Sequence, residues 1–89
     1  MNVEALFFAQ LRDITGVRQE AIALSEGARV TDLVALLTTK YGQAFRDAID
    51  QTEGMRILVS DREYDVPDGM EAPLREGDSI VFLPPIHGG

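Results

Sequence analysis

Residues 84 to 89 read PPIHGG, and the order of those residue types amounts to a delivery device. Pro84 and Pro85 hold φ at about −65° and lack a backbone N–H, so they leave a sheet ladder and favour a stiff, extended path. Ile86 and His87 continue as a spacer. Six residues at about 3.3–3.6 Å each reach roughly 20 Å. Gly88 and Gly89 carry no Cβ, so they thread a passage too narrow for any side chain. The Gly89 carboxylate is then the reactive group that such a segment brings to another protein's active site.

Other residue types with chemical potential have blander explanations. His87 is the only histidine. It could handle a proton beside the terminal carboxylate, but without companions it makes no metal site, and a passive spacer is the favoured role. The absence of cysteine removes disulfides, thiolate metal sites and a cysteine nucleophile. Asp61, Glu63, Asp65 and Asp68 are spaced loosely like oxygen ligands. They lack the ordered EF-hand pattern and its closing glutamate, so they are assigned to a solvated loop. No metal and no cofactor is expected on the chain itself. Lys40 is the only lysine, which leaves few sites for attachment to this chain.

The 89 residues suit one domain, and 45% hydrophobic content suits a folded one. Eight Lys and Arg against fifteen Asp and Glu give a net charge of −7. Nucleic acid needs a positive surface to displace its counterions, so it is excluded as a partner. An acidic domain is steered instead towards a basic protein surface, though the charge also serves solubility. The start lacks the basic segment, apolar stretch and small-residue cleavage site of a signal peptide. No apolar run approaches the roughly 20 residues of a membrane span. A cytoplasmic location with no membrane partner is expected.

The elements that must position the tail follow from pattern. Residues 3–9 are nearly all apolar, as in a central strand. Leu6 and Phe8 make the bulkier side, which is assigned to the core, leaving Val3, Ala5 and Phe7 opposite. A turn at Thr15 and Gly16 leads to an antiparallel strand over residues 17–24. Thr31 is a good N-cap, and Leu33, Leu36, Leu37 and Tyr41 line one face of a helix over residues 31–41 that stops at Gly42. Residues 44–50 suit a short helical stretch, residues 56–60 a strand, and residues 63–66 a brief edge.

A tight turn over residues 74–78 precedes the last strand at 79–83. The first and last strands are the most apolar, so they lie parallel at the centre of a mixed four- to five-stranded sheet with one main helix. That is an α+β, β-grasp roll over residues 1–83, with residues 84–89 as an extended tail. Phe8, Leu33, Leu36, Leu37, Ile57, Ile80 and Phe82 are expected in the core. Phe7 and Leu83, with Val66 as a further candidate, are expected on the face the helix leaves bare, where exposed apolar side chains mark an interface.

LFFAQLRDITG at residues 6–16 and REGDSIVFLPPIHGG at residues 75–89 resemble the ubiquitin-like sulfur carriers. The first stretch is similar to the molybdopterin synthase branch of that family, which also includes the thiamine-pathway carrier. The second matches the family's charged turn, final strand and Gly-Gly end, while His87 stands where the family more often has a small or hydroxyl residue.

The resemblance implies a cycle. An activating enzyme adenylates the Gly89 carboxylate with ATP, and a sulfur source converts the adenylate to a thiocarboxylate. The molybdopterin synthase large subunit then takes the tail into its active site, where sulfur passes to a pterin precursor to build the molybdopterin dithiolene. It also implies docking of both partners through the Phe7 and Leu83 region. The same chemistry could instead serve thiamine, tungsten-pterin, cysteine or thiolated tRNA. Two further alternatives are a ubiquitin-like modifier joined to lysines of other proteins and a non-reactive docking module.

Overall fold

A computed structural model describes residues 1–85. Asn2–Phe7 forms β1 and Ser79–Leu83 forms β5, and the two pair in parallel, with Ala5 beside Ile80 and Phe7 beside Phe82. Gln19–Ala23 (β2) adds antiparallel to β1, Arg56–Val59 (β3) antiparallel to β5, and Arg62–Asp65 (β4) antiparallel to β3. The order β2-β1-β5-β3-β4 puts the first and last strands at the centre of a five-stranded mixed sheet, the expected β-grasp arrangement.

One face of the sheet is covered by helices. Val30–Tyr41 (α2) and Gln43–Gln51 (α3) lie between β2 and β3 in the chain, and Ala9–Thr15 (α1) follows β1 directly. Val66–Met70 (α4) follows β4, with Asp65 capping it by accepting from the Asp68 N–H at 3.0 Å. Neither α1 nor α4 stands out by apolar periodicity, because each spans so few residues and buries so little: Leu11 alone in α1, and Gly69 in α4. Gly69 lies so close to β3 and β4 that an added Cβ would sit 3.0 Å from Ile57 Cδ1 and 3.1 Å from Tyr64 Cβ. Among the described residues, no helix is long and apolar enough to cross a membrane.

The core side of β1 is the reverse of the expected one. Val3, Ala5 and Phe7 are buried, whereas Leu6 is half-buried and Phe8 is 44% exposed. Bulk summed along a strand does not decide which face the helices cover. Register does, because Phe7 and Ala5 share their face with Phe82 and Ile80, both fully buried. Phe8 ends outside because the chain turns at Ala9, whose φ of 49° is left-handed, and only then does Leu11 point inward. Phe7 is therefore a core residue and no part of an exposed interface.

Two details of α2 also differ. Its buried stripe is Val30, Leu33, Val34 and Leu37, and Leu36, about 100° round the axis from Leu37, is 39% exposed. Its N-cap is Arg29, and Thr31 lies inside the first turn. Asp32, at the third helical position, reaches back to accept the Arg29 N–H at 2.8 Å, the carboxylate half of a capping box, and its charge suits the helix N-terminus.

Phe45 of α3 ties the helical layer to the central strands. Its ring meets Phe7 edge-on at 5.8 Å and Phe82 at 6.1 Å, with Tyr41 at 6.3 Å. Such pairs add about 0.5–1.5 kcal/mol each beyond area burial. Tyr41 also reaches outward, its hydroxyl donating to one oxygen of Glu20 on β2 while the Lys40 ammonium donates to the other. Partial desolvation pushes the Glu20 carboxyl up. The hydrogen bonds from Lys40 and Tyr41 and the charge of Lys40 outweigh it, so its pKa lies below the ordinary 4.5.

Two outcomes follow from this packing. Phe7→Ala should destabilise the domain by about 3–5 kcal/mol in urea unfolding, and Phe8→Ala by under about 1 kcal/mol. Glu20→Gln should lower the melting temperature at pH 7. A carboxylate whose folded pKa is depressed stabilises above its unfolded pKa, about 4.3, and that contribution fades as pH falls through the lower folded value. The gap between Glu20→Gln and the parent should therefore begin to narrow in thermal melts as pH falls below the unfolded value of about 4.3, and close as it passes through the lower folded value.

Candidate functional site

The face of the sheet away from the helices carries the apolar side chains left over by strand alternation. Leu6, Leu58, Val81 and Leu83 are all half-buried, and the register sets Val81 between Leu6 and Leu58. Phe8, two residues beyond Leu6 on extended backbone, falls on the same side. Leu83 thus stands where it was expected, on the bare face, and its neighbour there is Phe8 in place of Phe7. Val66 does not join them. It opens α4, packs against the core cluster on the helical side, and faces a groove shared with Ile49 and Met55.

The chain leaves the sheet at the end of this patch. Pro84 follows Leu83 directly and borders a cleft of about 200 Å³ with Phe8, Leu11, Thr52 and Met55. The Pro85 ring lies against Gly54 in the turn between α3 and β3. Both prolines are half-buried, so the first step of the exit is held by the domain itself. The expectations for Ile86, His87, Gly88 and Gly89 lie outside the described residues.

Charge frames the patch without crossing it. Arg56 pairs with Glu63 at 3.0 Å, and Glu4, two residues before Leu6, lies half-buried. Among the described residues, no group of three His, Cys, Asp or Glu side chains comes together to hold a metal. In particular, Asp65 of the 61–68 stretch is occupied as a helix cap. The described part of the chain thus leaves an apolar face uncovered and holds the start of its C-terminal segment against the domain. These features define a β-grasp domain with an uncovered apolar face at the root of its C-terminal segment.

The chain belongs to the ThiS family, which it matches over residues 5–89, and so to the ubiquitin-like sulfur carriers. It is 32% identical to a molybdopterin synthase sulfur carrier subunit of Chlamydomonas reinhardtii, over the full length of both chains. It is 29% identical to small archaeal modifier protein 3 of Haloferax volcanii, again over the whole of both. Among solved structures, the putative molybdopterin converting factor subunit 1 of Pyrococcus furiosus superposes with a TM-score of 0.74 at 29% identity, covering 96% of this chain and 98% of that one.

Sequence reasoning missed Leu6, Leu58, Val81 and Phe8 as patch residues. The signal for Leu58 and Val81 was present: each stands between two β-branched or aromatic residues of a short strand, Ile57 and Val59 or Ile80 and Phe82, which alternation sends inward. Gly54 carried no such signal, because its importance comes from a residue 31 positions later in the chain.

Proposed function

We propose that this chain is the sulfur-carrier subunit of a molybdopterin synthase, consumed and regenerated in each cycle. The observation that carries it is the run of β5 from the centre of the sheet straight into Pro84 and Pro85, beside an uncovered apolar face. Full-length relatives named as sulfur carrier subunits of that synthase support the branch. The domain of residues 1–83 docks, and the tail of residues 84–89 delivers. The protein works in the cytoplasm, with no bound cofactor of its own.

Each cycle begins when an oxygen of the Gly89 carboxylate attacks the α-phosphorus of ATP in an activating enzyme, releasing pyrophosphate. A carboxylate is a poor electrophile until AMP becomes its leaving group. A sulfur donor then displaces AMP and leaves a thiocarboxylate, a softer nucleophile than a carboxylate at neutral pH. In the large subunit this sulfur attacks the pterin precursor, and water then cleaves the resulting acyl–sulfur bond, leaving sulfur on the pterin and returning Gly89 to its carboxylate. Bases and oxyanion groups for these steps come from the partners. Ile86 and His87 serve as spacer.

The likeness to an archaeal modifier protein favours a second reading, in which Gly89 ends in an isopeptide bond to lysines of other proteins. Intact mass separates the two. The full-length chain, incubated with activating enzyme, ATP and a sulfur donor, should gain the difference between one sulfur and one oxygen, and a chain lacking Gly88 and Gly89 should gain nothing. High-mass conjugates in lysate, with no such gain, would favour the modifier. For the docking face, Leu83→Asp should weaken binding to the large subunit by roughly 30-fold, the effect of losing an interface anchor worth ~2 kcal/mol. Leu36→Asp, on the far side of the domain, should leave calorimetric affinity unchanged.

A further inference from the structure

Three turns of this chain are built alike. Residues 25–28, 52–55 and 75–78 read SEGA, TEGM and REGD. In each, the fourth residue's N–H donates to the first residue's carbonyl, at 3.2 Å from Ala28 to Ser25, 3.3 Å from Met55 to Thr52 and 3.1 Å from Asp78 to Arg75. In each, glycine holds the third position with positive φ: +84° at Gly27, +79° at Gly54 and +82° at Gly77. Turn geometry alone explains glycine at such a position. It does not explain a difference in surroundings. A Cβ built on Gly27 or Gly77 meets nothing within 4 Å, whereas one built on Gly54 lies 3.4 Å from both Cβ and Cγ of Pro85 and 3.9 Å from its Cδ.

The middle turn is also held where it meets the core. Met55 is buried, and the Thr52 N–H donates to the Ala48 carbonyl of α3 at 3.2 Å. We propose that Gly54 is a positioning residue for the tail: the Pro85 ring packs against it, and with Pro84 bordering the Phe8 and Met55 cleft it sets the direction in which the chain leaves the domain after Pro85. A Cβ at position 54 already touches the Pro85 ring, so side-chain atoms beyond it that are directed at Pro85 displace the ring. The exit then swings, while the fold, docking face and terminal glycines remain. The inference rests on the sulfur-carrier reading for its consequence in catalysis, and on geometry alone for the direction of the tail.

The matched turns supply their own control. Gly54→Asn and Gly27→Asn impose the same left-handed strain on asparagine, which tolerates it better than most residues, and only the first meets Pro85. Both should lower the melting temperature by similar amounts. In a weakly aligning medium, amide residual dipolar couplings of residues 86–89 relative to those of the sheet should change in Gly54→Asn and stay at parent values in Gly27→Asn. With the loaded carrier saturating the large subunit, the single-turnover rate of sulfur transfer should fall about tenfold for Gly54→Asn, and its Kd for the subunit should stay within twofold. Couplings that change in neither variant, or equally in both, would overturn the inference. Should Gly54→Asn fail to fold, Pro85→Ala, which removes the ring from the contact, must shift the same couplings or the inference fails. If the parent chain takes up no sulfur while the couplings divide as expected, the sulfur-carrier reading is lost and the positioning role stands.

Discussion

The parallel pairing of β1 with β5 is the constraint from which the rest of the structure follows. Parallel neighbours cannot be joined by a tight turn, so everything between them must form a crossover and the remaining strands must add outside. β2 takes the free edge of β1, and β3 with β4 takes that of β5. The pair also fixes the facing of both strands at once, because Phe7 and Phe82 in register must both meet the same helical layer. Phe45 inserted between them is the contact through which α3 holds that layer in place.

From that facing comes a division of labour. One side of the sheet is closed by helices over an apolar core in which, among the described residues, no charged or polar side chain is buried. The other side keeps Leu6, Leu58, Val81 and Leu83 half-covered, enough to be ordered and still able to lose water on contact with a partner. A domain of net charge −7 with an apolar, nearly uncharged patch at its tail root suits a partner whose basic surface surrounds an apolar seat.

Much of this was legible in the residues. The apolar content of residues 3–9 and 79–83 was enough to place both strands at the centre, and the long crossover was enough to make them parallel. What failed was facing. Two adjacent phenylalanines offer two registers of equal hydrophobicity, and a slip of one residue turns every side chain over. Only the partner strand resolves this, through Phe82. Leu36 was misplaced for a related reason, since a leucine-rich helix has more apolar positions than its buried stripe can hold. The helices α1 and α4 were invisible because their order comes from tertiary contacts, a left-handed corner at Ala9 and a carboxylate cap at Asp65, instead of periodicity. The contact between Gly54 and Pro85 joins residues far apart in sequence, and no local pattern encodes it.

Placing the last strand at the middle of the sheet has a consequence for synthesis. Until residues 79–83 have left the ribosome, β1 and β3 have no shared neighbour and the sheet is two separate halves, β2 with β1 and β3 with β4. The nascent chain therefore cannot complete its fold piecemeal from the N-terminus. A polypeptide that ends before β5 lacks both the tail and the folded platform that would present it. The strand that completes the sheet is thus also the one from which the C-terminal segment departs.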